Sequence, residues 1–144
     1  MERKQGEIKK SLWLLFTMTA VLIAICWGGF KQPWIALTAI LSWGVGDGCA
    51  ALVGKRFGKH HVHLKFADQK KTWEGSGAMA LAGFLICLVC LSKMTDFSWI
   101  VKLVMALVMA PCGAYTELVS HNGNDTVSVP FVNAAVLVLL NFLF

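Results

Sequence analysis

Five long apolar runs decide what this chain can fold into. They occupy residues 11–29, 33–53, 76–91, 97–114 and 127–144. Each approaches the roughly 17–25 mostly apolar residues that a helix needs to cross a bilayer. In hydrocarbon, only helices and closed barrels satisfy their own backbone polar groups, and these runs lack the alternation of barrel strands. The expected fold class is all-α: a polytopic membrane protein with five transmembrane helices. Hydrophobic residues make up 57% of the 144, against about 45–50% in soluble domains, and the excess is concentrated in the runs. With no Pro/Ser-rich linker, low-complexity tract or internal repeat, residues 1–144 read as one integral-membrane domain. The first run is followed by GGFKQPW and a second span, not by a small-residue cleavage site, so it does not read as a removable signal peptide.

The cations orient the spans. The N-terminal segment carries Arg3, Lys4, Lys9 and Lys10, and the link 54–75 carries Lys55, Arg56, Lys59, Lys65, Lys70 and Lys71 against Asp68 and Glu74. The two opposite links hold Lys31 in one and Lys93 with Asp96 in the other. The positive-inside rule then expects a cytoplasmic N-terminus, cytoplasmic links 54–75 and 116–126, and an external C-terminus. A bacterial cell membrane is the expected location. Lys102, early in the fourth span, can snorkel towards the outer surface. A formal charge of +5 distributed this way argues for membrane topology and against a nucleic-acid partner. All five cysteines fall inside apolar spans, where free cysteine behaves as a small hydrophobe. Cys87 and Cys90 form a CxxC with no second pair, which does not suggest a metal or redox centre.

Several polar residues do not fit a purely packed bundle. Asp47 lies in the second run, roughly 12 Å below the end near Lys55 at about 1.5 Å per residue. An acid at such depth usually faces a bundle interior or a watery cavity. Gly44, Gly46 and Gly48 weaken the helix around it, and Gly46, Ala50, Gly54 and Gly58 make a small-residue stripe on which another helix can pack. A packing motif explains the stripe but not the charge.

The link then ends in QKKTWEGS, residues 69–76. Lys70 and Lys71 stand just ahead of a helix start whose free N–H groups attract anions, and Gly75 with Ser76 leaves the backbone accessible, Ser76 being able to cap. The plainer alternative is a basic flank on a capped helix. The fourth span ends in APCGAYTE, where Pro111 and Gly113 should kink the helix and Glu117 lies at its end. Asn124 and Asp125 open the fifth span, Asp125 also being a good N-cap. Asn124-Asp125-Thr126 matches a glycosylation sequon, but its cytoplasmic placement makes that a false positive.

The topology brings Asp47, Glu74, Glu117 and Asp125 to one face with Lys70 and Lys71. Carboxylates with lysines at a helix start suit a magnesium–nucleotide site, because the metal prefers oxygen and bridges carboxylates to phosphates. On this reading Asp47 and Glu117 are the candidate catalytic residues. Lys70, Lys71, Glu74, Gly75 and Ser76 hold nucleotide, and Asp47 and Asp125 hold Mg²⁺. His60, His61 and His63 form an HHxH without a further ligand and read as surface residues.

GDGCAALVGKRFGKH, KKTWEGS and the spacing from Glu117 through Asp125-Thr126 to Pro130 resemble the dolichol kinase and phytol kinase family of CTP-dependent lipid-alcohol kinases. The similarity runs from about Gly6 to the C-terminus. It implies a multi-span enzyme that uses CTP at the cytoplasmic face to phosphorylate phytol, a polyprenol or diacylglycerol. Asp47 then matches the acid of the first motif, Lys71 and Glu74 the second, and Glu117 and Asp125 the third. Family members usually carry several more spans before this region, so the chain looks like their C-terminal catalytic portion. Either the extra helices are dispensable, or a second copy or another chain supplies them, or the sequence is a fragment or degenerate relative. A phosphatidate cytidylyltransferase is the nearest alternative, being a relative of the family, although its longer signature is not visible. A non-catalytic membrane subunit that uses the acids for ion passage is the alternative of a different class, and KKTWEGS argues against it.

Overall fold

The computed structural model describes residues 5–62, 71–120 and 125–144, with side chains from residue 12 onward. Helix α1 spans Gln5–Ile23 and runs on as a π-helical segment, Ala24–Gly29. It is followed by α2, Pro33–Phe57; α3, Trp73–Met94; α4, Trp99–Val119; and α5, Asp125–Leu143. Among the described residues these five are long and apolar enough to cross a membrane, and no strand is present. The chain is a multi-pass helical membrane protein.

Local sequence accounts for the helix boundaries. Pro33 begins α2, where its missing N–H costs nothing. Lys31, just before it, adopts a positive φ of 55° in the turn from the π segment. Thr72 caps α3 by accepting the Gly75 N–H at 3.2 Å, and Ser98 caps α4 by accepting the Val101 N–H. Thus α3 starts a turn earlier than the apolar run suggests. Ser76, expected as a cap, is inside the first turn and donates its hydroxyl back to the Thr72 carbonyl at 3.3 Å. Helix α4 runs through Pro111 to Val119 as one helix. Neighbouring helices commonly make an interior proline tolerable in a membrane bundle.

Helices α2, α3, α4 and α5 form a ring in which each packs on the next and α5 closes onto α2, while α1 lies outside against α2 and α5. The ring is filled by Ile35 and Ala39 from α2, Cys87 and Leu91 from α3, Met105 and Met109 from α4, and Leu137 from α5. Leu22 and Cys26 are α1's points of entry into this core. Apolar residues that face outward, such as Phe16, Leu81, Leu107 and Leu139, suit contact with lipid tails.

Helices α2 and α3 pack most closely, and the small-residue stripe is the reason. A Cβ at Gly46 would meet Met79 at 3.0 Å, one at Gly54 would meet Thr72 Oγ1 at 3.1 Å, and one at Gly75 would meet the Ala50 carbonyl at 3.0 Å. At the far end of the ring, Lys102 is buried rather than extended, its Nζ 5.3 Å from the centre of the Trp99 ring.

Candidate active site

The end of α2, the start of α3 and the end of α4 enclose a cavity of about 250 Å³. Asp47, Gly54 and Lys55 line it from α2, Lys71, Gly75 and Ser76 from the start of α3, and Glu117 from α4. Residues from three separate sequence segments therefore meet in one place, because antiparallel helices bring the ends of α2 and α4 to the same side as the starts of α3 and α5.

Lys71 has three interactions at the rim. Its Nζ lies 2.9 Å from Glu117 Oε1, and it donates to the backbone carbonyls of Glu117 and Ser120, the latter at 3.1 Å. The ammonium thus caps the carbonyl end of α4 while neutralising an acid whose side chain is 9% exposed. Asp47 and Asp125 are both within electrostatic reach of Glu117. Asp125 sits in the first turn of α5, where its Oδ1 accepts the Thr126 N–H at 2.9 Å. Asp47 lies on the α2 wall of the cavity, about two turns below Lys55.

Glu74 is placed differently. Its carboxylate accepts from the His60 ring at 2.7 Å and from the backbone N–H groups of Lys59 and His60 at 3.3 Å. It clamps the chain leaving α2 against the chain entering α3. The clamp is reinforced by Val62 N–H to the Lys71 carbonyl at 3.0 Å and Trp73 N–H to the His60 carbonyl at 3.1 Å. Lys70 lies outside the described residues, as do His63 and Asn124.

His60 is at the surface, as expected, and its ring bonds Glu74. His61 and Thr72, which the sequence did not place in the site, line the cavity. A threonine three residues before Gly75 is an N-cap signal, and it was readable. The pairing of His60 with Glu74 was not, because it depends on how the link folds back. Among the described residues no three His, Cys, Asp or Glu side chains come together as a ready-made metal site. The donor set still suits Mg²⁺, which is commonly held by one or two carboxylates together with substrate phosphates.

No protein-family model and no solved structure matches the chain. Among curated proteins, a phytol kinase from Synechocystis sp. is 39% identical over 120 residues, covering 81% of this chain and 50% of that protein. A probable chloroplastic phytol kinase from Triticum aestivum is 28% identical, covering 96% of this chain and 47% of its own length. A probable phytol kinase 2 from Glycine max is 26% identical, with coverage of 97% and 47%. The chain is related to the phytol kinases. It spans about half the length of these relatives, and the cavity of Asp47, Lys71 and Glu117 falls inside the part that phytol kinases share with it.

Proposed function

We propose that this chain is the catalytic portion of a CTP-dependent kinase that phosphorylates the hydroxyl of a membrane lipid alcohol, phytol or a polyprenol, at the cytoplasmic face. The observation that carries the reading is the cavity itself. It sets a lysine and two carboxylates beside a glycine-containing helix start, at the end of a membrane bundle. The names of the phytol kinase relatives support the reaction class. The basic links on that side support the orientation.

In this reading the nucleotide enters from the basic rim, and its phosphates lie beside Gly75 and Ser76 at the start of α3, where the helix dipole favours anions. The N–H groups of these two residues are themselves taken by Thr72. Lys71 exchanges Glu117 for a phosphate oxygen. The alcohol oxygen attacks the γ-phosphorus, the bond from that phosphorus to the β,γ-bridging oxygen breaks, and CDP leaves. The alcohol proton passes to Asp47 or Glu117. Positioning and charge neutralisation supply most of the rate. Bound Mg²⁺, held by Asp47 and Asp125, would offset the charge that builds on the phosphate oxygens.

The test uses the purified chain in nanodiscs with γ-labelled CTP, Mg²⁺ and a panel of lipid alcohols. Transfer of label to an alcohol is expected. Binding of CTP with no transfer to any alcohol, or equal transfer from ATP, would overturn the reading in its reaction or its donor respectively.

A further inference from the structure

The groups that first suggest themselves for phosphate are already engaged. Lys71 Nζ is 2.9 Å from Glu117 Oε1 and donates to two carbonyls at the end of α4. The Gly75 and Ser76 N–H groups go to Thr72. Two further basic side chains line the same cavity, Lys55 from the last turn of α2 and His61 from the chain beyond it. Both are exposed, and among the described residues neither has a side-chain hydrogen bond or an ion pair.

Two local devices bring His61 to the cavity. Gly58 turns the chain tightly over Thr72, whose Cγ2 a Cβ there would meet at 2.7 Å. Beyond it His61 bridges Thr72 in an antiparallel pair, with Val62 N–H bonding the Lys71 carbonyl and Trp73 N–H the His60 carbonyl. Side chains alternate between the two faces along such a ribbon. His61 and Thr72 therefore turn to the cavity, while His60 turns away from it to Glu74.

Withdrawing Lys71 from Glu117 leaves a shielded acid unpaired, whereas Lys55 and His61 can meet an anion with no pair to break. An ammonium offers three donors on a flexible stem, and an imidazole at least one. We propose that Lys55 and His61 hold the α- and β-phosphates of the nucleotide, leaving Lys71 to the γ-phosphate alone. Lys55 stands about two turns above Asp47 on the same helix, so phosphates held there leave the γ-phosphate the deeper place, nearer the acids. Lys71 then leaves Glu117 only for a triphosphate. The inference rests on the kinase reading and adds to it how the site tells CTP from CDP, the product that must leave.

CTP and CDP, each with Mg²⁺, are titrated calorimetrically into the chain in phosphatidylcholine nanodiscs. Lys55→Gln and His61→Gln should each weaken both nucleotides about tenfold, the loss of one hydrogen bond to a charged group. Lys71→Ala should weaken CTP more than CDP. Arg56→Gln removes the same charge beside Lys55 but outside the cavity lining, and should leave both affinities near wild type. Thermal melting verifies that each variant is folded. Wild-type affinity for both nucleotides in the folded Lys55→Gln, His61→Gln double variant overturns the proposal, as does an equal loss in Arg56→Gln. Equal weakening of CTP and CDP by Lys71→Ala overturns the division between the phosphates. An effect confined to nanodiscs containing phosphatidylglycerol assigns the pair to lipid headgroups, which share the phosphate chemistry, and overturns it too. Weakened binding in the variants with no transfer to any alcohol by the wild type defeats the kinase reading alone. Transfer with an unaltered KM for CTP in the double variant defeats the phosphate pair alone.

Discussion

Lys71 Nζ and Glu117 Oε1 lie 2.9 Å apart and join the start of α3 to the end of α4 at the rim of the cavity. The pair is largely shielded, with side chains 16% and 9% exposed, so removing one partner leaves the other charged and poorly solvated.

Lys71→Ala should therefore do two things. It should weaken CTP binding by about 1.5–3 kcal/mol, the range for hydrogen bonds to charged groups. It should also lower the thermal midpoint of the free protein, and adding Glu117→Gln should restore part of that loss. Isothermal titration and melting of the single and double variants check both effects. An unchanged CTP affinity in Lys71→Ala would reduce the basic link to a topology signal.

Asp47→Asn keeps the size of the side chain and removes its charge. Insertion and folding should survive, while turnover should fall by at least about a hundredfold, the low end for loss of general acid–base catalysis. Near-normal phosphate transfer in a correctly folded Asp47→Asn protein would remove Asp47 from the mechanism.

Two glycines on the same turn of α3 should respond in opposite directions. A Cβ at Gly75 would meet the Ala50 carbonyl at 3.0 Å, whereas one at Gly77 would meet nothing within 4 Å. Gly75→Ala is expected to destabilise by roughly 1–3 kcal/mol, through overpacking against backbone. Gly77→Ala should be neutral or stabilising by up to about 1 kcal/mol, through helix propensity. Thermal melting in matched detergent distinguishes them, and equal effects would show that the α2–α3 crossing is not tight.

The orientation has its own check. A cysteine at exposed His61, in a background without the five native cysteines, should resist an impermeant thiol reagent in intact cells and react in inverted vesicles. Labelling from outside would reverse the topology.

The spans were legible because membrane length and hydropathy leave few other outcomes for runs such as 33–53. The α2–α3 seam was legible too, since only small residues recur at Gly46, Ala50, Gly54 and Gly58. Helix ends were less so. Thr72 moved the start of α3 ahead of its apolar run, and α4 ran past its apolar run to Val119. The sequence suggested that Asp47, Lys71 and Glu117 would meet, and they do line one cavity. The way Glu74 faces His60 was hidden, because it follows from a chain reversal that carries no periodic signal.

The four-helix ring has a mechanical consequence. Its sides are fixed by packing between successive helices, but Asp47 and Glu117 stand on α2 and α4, which face each other across it. A jointed rhombus can shear, lengthening one diagonal and shortening the other, without parting any side. The gap between these two acids is thus held by the side chains that fill the ring and not by a seam between successive helices, so a change in lateral pressure is expected to register there. Turnover measured across bilayers of graded lateral pressure should vary while the melting temperature holds, and a flat response would show the diagonal to be rigid.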